Sequence, residues 1–191
     1  MNKEKIIIFK NDATGDLIHG REAIYNIINS NKDKEIILYL SKKSKEFSFL
    51  FNGKNLSIRL IDNKLSFVDK MKIFFLFFDK YIYKTFILTP KTFYFVLPFI
   101  FKKVKFYAVC IEDINNYKRP NYFLKKYLHK FVTNKRCAIF KRQSIFDLQN
   151  SVIGEDYNFN YKIDFNYKFN DEYVNEIKDY FHFHINQKKI R

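Results

Sequence analysis

Residues 6–20, IIIFKNDATGDLIHG, hold the first change of pattern in the chain, and the fold turns on how they are read. Ile6 to Phe9 form a short unbroken apolar run, which suits a strand buried on both faces, as in a parallel sheet. The run opens onto Lys10, Asp12, Gly15 and Asp16. From Asp16 the spacing becomes helical, with Leu17, Ile18, Ala23, Ile24, Ile27 and Ile28 predicted on one face of a helix over 16–31. The chain has only 4 glycines in 191 residues, so a glycine beside an acid at this turn asks for a reason. Gly15 would admit close approach of a ligand or take a positive φ, and Asp16 falls at or near the N-cap of the helix. Capping and ligand chemistry are both open to these residues.

The same alternation continues outward from this unit. EIILYL (35–40), LSIRLI (56–61), TFILT (85–89) and KFYAVCI (105–111) read as further strands. SKKSKEFSFLF (41–51), SFVDKMKIFFLFF (66–78) and KTFYFVLPFIF (91–101) read as the helices between them, with Pro98 a kink or weak point in the last. Beyond a polar loop at 112–121 come a basic amphipathic helix (122–132), a short strand RCAIF (136–140) and a helix over 144–154 ending at Gly154. This pattern predicts an α/β, Rossmann-like parallel sheet with helices on both faces. Residues 1–156 form that domain, and 157–191 read as a linker and C-terminal helix leading toward a second domain.

A formal charge of +15 invites a polyanion, yet abundant Lys, Asn, Ile, Phe and Tyr with scarce Ala, Gly and Pro is also the stamp of an AT-biased coding sequence. Nucleic acid is therefore not favoured. Cys110 and Cys137 lack metal-ligand or disulfide spacing and read as core thiols of a reducing cytoplasm. IFFLFF (73–78) and TFYFVLPFIF (92–101) fall well short of the roughly 20 apolar residues of a spanning helix. The lysines 102, 103 and 105 after the second suit a helix end or peripheral contact with anionic lipid. His129 reads as solvated. His182 and His184, one residue apart, lie on different helix faces with no Cys or acid partner nearby in sequence, so no metal is predicted.

The first turn has no G-x-G-x-x-G, and Arg21-Glu22 stand where a P-loop would need Lys-Ser or Lys-Thr, so a dinucleotide or ATP site is not expected there. The opening segment does resemble the N-terminal signature of the family 9 glycosyltransferases, the lipopolysaccharide heptosyltransferase group. The matching residues are Lys10, Gly15, Asp16, Leu17, Ile18 and His19 after the apolar strand. The later order of elements is similar to that family's N-terminal half, while Arg21-Glu22-Ala23 replace a proline usual there.

This resemblance implies a GT-B enzyme, in which an N-terminal domain holds the acceptor and a second domain holds most of the nucleotide-sugar donor. It implies Asp16 as general base in an inverting hexosyl or heptosyl transfer, with Lys10, Gly15 and His19 at the acceptor. Arg119 joins them as the best acceptor contact in the basic, aromatic stretch 115–130, because a guanidinium grips phosphate bidentately. No cofactor is expected. The expected partners are a nucleotide-sugar donor, an anionic glycolipid or polysaccharide acceptor of the cell envelope, and a separate donor-domain chain. The implied location is cytoplasmic, peripheral at the inner face of the cytoplasmic membrane. The competing reading is a non-catalytic acceptor-binding or basic polyanion-binding module.

Overall fold

The computed structural model describes residues 3–112, 122–139 and 145–153. Six strands, β1 (Lys5–Lys10), β2 (Glu35–Ser41), β3 (Leu56–Ile61), β4 (Ile82–Ile87), β5 (Lys105–Glu112) and β6 (Asn134–Ile139), form one sheet. All pairings are parallel, in the order β3-β2-β1-β4-β5-β6. This is the Rossmann order, with its topological switch between β1 and β4. The central strand explains its own place: Ile6, Ile7, Ile8 and Phe9 are fully buried, each contributing about 1.5–3 kcal/mol by leaving water. At the edge, β3 reverts to alternating exposure along Leu56–Ile61.

The helices divide between two faces. α1 (Thr14–Ser30) and α5 (Ile145–Ile153) cover one, where Leu17, Ile24, Ile27, Val152 and Ile153 pack on Ile6, Ile8 and Leu38. A 3-10 segment, Lys42–Leu50, broken at Ser44, links β2 to β3. On the other face lie α2 (Phe67–Leu76), α3 (Thr92–Ile100) and α4 (Tyr122–Leu128), burying Ile73, Tyr94, Phe95, Leu97 and Leu128 against Ile7, Phe9 and Phe106. Ser66 and Asp69 make a reciprocal capping box that starts α2. Pro98 sits inside α3, two residues before its last residue, so the Tyr94 carbonyl lacks the amide that would otherwise donate to it.

Several sequence expectations need correction. β4 begins at Ile82 and ends at Ile87, because the Leu88 and Thr89 amides turn aside to donate to the Phe9 carbonyl. Ile18 is 42% exposed, since Leu17, Gly20 and Ala23 to Ile24 set the buried face. Expectations for 113–121, for Gly154, and for 157–191 with His182 and His184 lie outside the described residues.

His129 is also buried, in the short 3-10 turn His129–Phe131 after α4, its ring centroid 4.4 Å from that of Phe95. Neither ring nitrogen has a hydrogen-bond partner among the described residues. Burial, with Lys125 and Lys135 nearby, pushes the imidazole down from 6.5 to about 4. The unfolded chain therefore takes up a proton at a pH where the folded one does not. Stability is intact above about pH 6.5 and is lost as the pH falls toward about 4, by on the order of 2–3 kcal/mol. Urea unfolding at pH 7 and pH 4 should show a loss in His129→Leu that is smaller than wild type by about that amount.

Candidate functional site

The β1–α1 turn lies at the carboxyl edge of the sheet, beside the β1/β4 switch point where open parallel sheets bind ligands. Its organising feature is Lys10. This side chain is fully buried, and its ammonium donates to Asp12 Oδ2 at 2.7 Å. Burial pushes Lys10 below the usual lysine range, while the carboxylates of Asp12 and Asp16 act in the opposite direction. The aliphatic stem runs beneath α1 at Gly20. A Cβ there would lie 2.5 Å from Lys10 Cε and 2.5 Å from Gln149 Oε1. Gly20 is therefore required by packing, whereas a Cβ on Gly15 would meet nothing within 4 Å and its φ lies outside the left-handed range.

Asn11, fully buried, ties this turn to two other elements. Its amide donates to the Asp62 carbonyl at 3.0 Å, and its Oδ1 accepts from the Tyr94 hydroxyl at 2.8 Å. Burial raises the Tyr94 phenol well above its ordinary value, so it stays a donor. The Tyr94 ring stacks on Phe9 at 4.1 Å. Loop 62–66 and the start of α3 are thereby fixed against the end of β1.

Asp16 occupies the third position of α1. The N-cap is Ala13, with no side-chain cap, so the structure replaces the capping reading of Asp16 with a first-turn carboxylate. It is half-buried and makes no hydrogen bond to another described residue. A negative charge here is favoured by the helix dipole and the unpaired N–H groups of the first turn. Gly15 and His19 are exposed beside it. Lys10 shares the turn but presents no surface to an acceptor. Arg119 lies outside the described residues.

Sequence reading missed a cleft of about 800 Å³ lined by Lys43, Lys64, Lys70 and Lys91 with Asp62 and Phe93. These lysines come from three crossovers, Lys43 between β2 and β3, Lys64 and Lys70 between β3 and β4, and Lys91 between β4 and β5, and only the sheet order gathers them. Lys91 donates to Asn63 Oδ1 at 2.6 Å and feels the charge of Asp12, while burial holds its ammonium below the usual range. Lys42 pairs with Asp62 at 2.9 Å, reducing the one acid of the cleft. The arrangement suits an anionic ligand. Among the described residues no group of three or more His, Cys, Asp or Glu could hold a metal ion, and no helix is long and apolar enough to cross a membrane.

The fold is that of a family of sugar transferases at the level of one domain. The chain aligns with the crystal structure of the glycosyl transferase family 9 protein from Veillonella parvula DSM 2008 at a TM-score of 0.54 and 13% identity, over 80% of this chain and 40% of that one. It also aligns with E. coli heptosyltransferase WaaC with ADP, at 12% identity and a TM-score of 0.49, over 83% of this chain and 49% of that one. The chain thus spans less than half the length of either protein, and at these identities the likeness is one of fold. No family model and no curated protein matches the sequence.

The two glycines of the turn should behave oppositely. Gly20→Ala forces a carbon into the Lys10–Gln149 contact and should destabilise by about 1–3 kcal/mol. Gly15→Ala should fall within about 0.5 kcal/mol of wild type or stabilise slightly. Thermal unfolding of both variants checks the pair.

Proposed function

We propose that this chain is the acceptor-side domain of an inverting GT-B glycosyltransferase that moves a hexose or heptose from a nucleotide-sugar to an anionic cell-envelope glycolipid or polysaccharide. The observation that carries the reading is a half-buried carboxylate, Asp16, that makes no hydrogen bond to another described residue, at the switch point of a family 9-like fold and on the same sheet edge as a lysine-lined cleft. In this reading Asp16 accepts the proton of the acceptor hydroxyl as that oxygen forms a bond to the anomeric carbon. The bond from that carbon to the nucleotide diphosphate breaks on the opposite face. Lys64 and Lys70 hold a phosphate or carboxylate of the acceptor, and Gly15 leaves the approach open. Lys10 acts from below, by holding Asp12 and the turn.

A donor-binding half supplies the nucleotide-sugar. The cleft lysines also favour a second reading, an acceptor-binding module without catalysis. Asp16→Asn separates the two. Asn keeps the shape and removes the base, so turnover should fall by roughly 10²–10⁴-fold in a preparation holding both this domain and the donor-binding half. Lys64→Ala with Lys70→Ala should instead raise the acceptor KM with a smaller change in kcat. Turnover unchanged in Asp16→Asn, with acceptor binding lost in the lysine variant, would leave the binding module.

A further inference from the structure

Cys110 and Cys137 are the chain's two cysteines, far apart in sequence, and the sheet brings them to one position. β5 and β6 run parallel, with Val109 opposite Arg136, Cys110 opposite Cys137 and Ile111 opposite Ala138. Register partners on neighbouring strands share a face of the sheet, and their Cα atoms lie about 4.8 Å apart, the interstrand spacing. A disulfide needs Cα atoms roughly 4.4–6.8 Å apart and Cβ atoms that do not diverge. The register meets both conditions.

The two strands are held differently. Cys110 is fully buried, in the apolar cluster that includes Phe95, Ala108 and Leu128. β6 is the outermost strand on its side of the described sheet and pairs through β5 alone. Outer elements open at lower free energy than central ones, so local opening of β6 admits a small reagent that the closed sheet excludes. The same two strands carry α5, whose Gln149 closes the space beside Lys10 and Gly20. A lone buried thiol packs like a small apolar side chain, whereas two at one register position can be oxidised together.

We infer that Cys110 and Cys137 form a reversible dithiol and disulfide pair, oxidised by a small-molecule disulfide, that clips β6 to β5 beneath α5. One protein thiolate attacks a sulfur of oxidised glutathione, whose S–S bond breaks to release one glutathione thiolate and leave a mixed disulfide. The other protein thiolate attacks the protein sulfur of that intermediate and expels the second glutathione. Two electrons pass from the protein to glutathione, and the protons of the two protein thiols go to the two departing thiolates. The interstrand spacing lies toward the short end of disulfide geometry, which makes the bond readily reduced, so the pair suits reversible control and not permanent bracing. The inference stands on the register of β5 and β6 and is independent of sugar transfer.

Equilibrating the full chain in glutathione buffers of graded poise, quenching with acid and weighing the unreduced digest by mass spectrometry, measures the effective concentration of one thiol at the other. It should be at least about tenfold higher in the folded chain than in concentrated urea, because the register holds the pair together. The product should be a monomer in which peptides containing residues 110 and 137 are joined with the loss of two hydrogens, and dithiothreitol should reverse it. Oxidation should raise the Tm of wild type by about 3 °C or more, and should give no such rise in Cys110→Ala or Cys137→Ala, which cannot bridge. An effective concentration within tenfold of that in urea, or a disulfide found only between two chains, would overturn the pairing.

Discussion

A fully buried ammonium at the end of the central strand is the constraint around which the carboxyl edge of this domain is arranged. Lys10 has left water entirely, and its charge is met by Asp12 across a single short turn. A buried pair of this kind adds little net stability over apolar packing, but losing one partner is expensive because the other charge is stranded. The pair therefore specifies geometry. The Lys10 stem passes under α1 on its way to Asp12, so a Cβ at Gly20 would meet it, and Gln149 of α5 closes the same space. With Asp12 in direct contact with Lys10, Asp16 is the acid of the turn that makes no hydrogen bond to another described residue.

The remaining contacts hold that edge against the sheet. Phe9 stacks between Tyr39 and Tyr94, and the Tyr94 hydroxyl reaches Asn11, which in turn holds the loop after β3. One aromatic column thus connects the core to the mouth of the lysine-lined cleft. The opposite arrangement prevails on the outer side of α2, α3 and α4, where aromatic rings are left at the surface among lysines.

The parallel sheet was legible because burial on both faces demands unbroken apolar runs, and Ile6–Phe9 and Ile36–Leu40 have them. β4 was misplaced because Lys84 disguises it: its ammonium lies over the rings of Tyr83, Phe86 and Tyr107, so a lysine occupies a strand position that looks polar in sequence. The turn at residues 10–16 was found, but the parts of its residues were not all readable. Gly15 drew attention by standing next to an acid, whereas the glycine that packing requires is Gly20, visible only once Lys10 is seen beneath it. The resemblance gives Lys10 as an acceptor contact, whereas its side chain is buried and paired with Asp12 two residues on. Lys43, Lys64, Lys70 and Lys91 carry no shared motif, since a cleft at strand ends is assembled from separate crossovers.

The central claim is that Lys10 and Asp12 act as one buried unit that sets the turn. A double-mutant cycle of Lys10→Met, Asp12→Asn and the combined variant, followed by urea unfolding at pH 7, measures it directly. Each single change strands a buried polar group, while the pair removes both together. The coupling free energy should therefore be about 2 kcal/mol or more, with the combined variant more stable than Lys10→Met alone. Additive losses, with coupling below about 0.5 kcal/mol, would mean that the two side chains do not depend on one another and that the turn is held by something else.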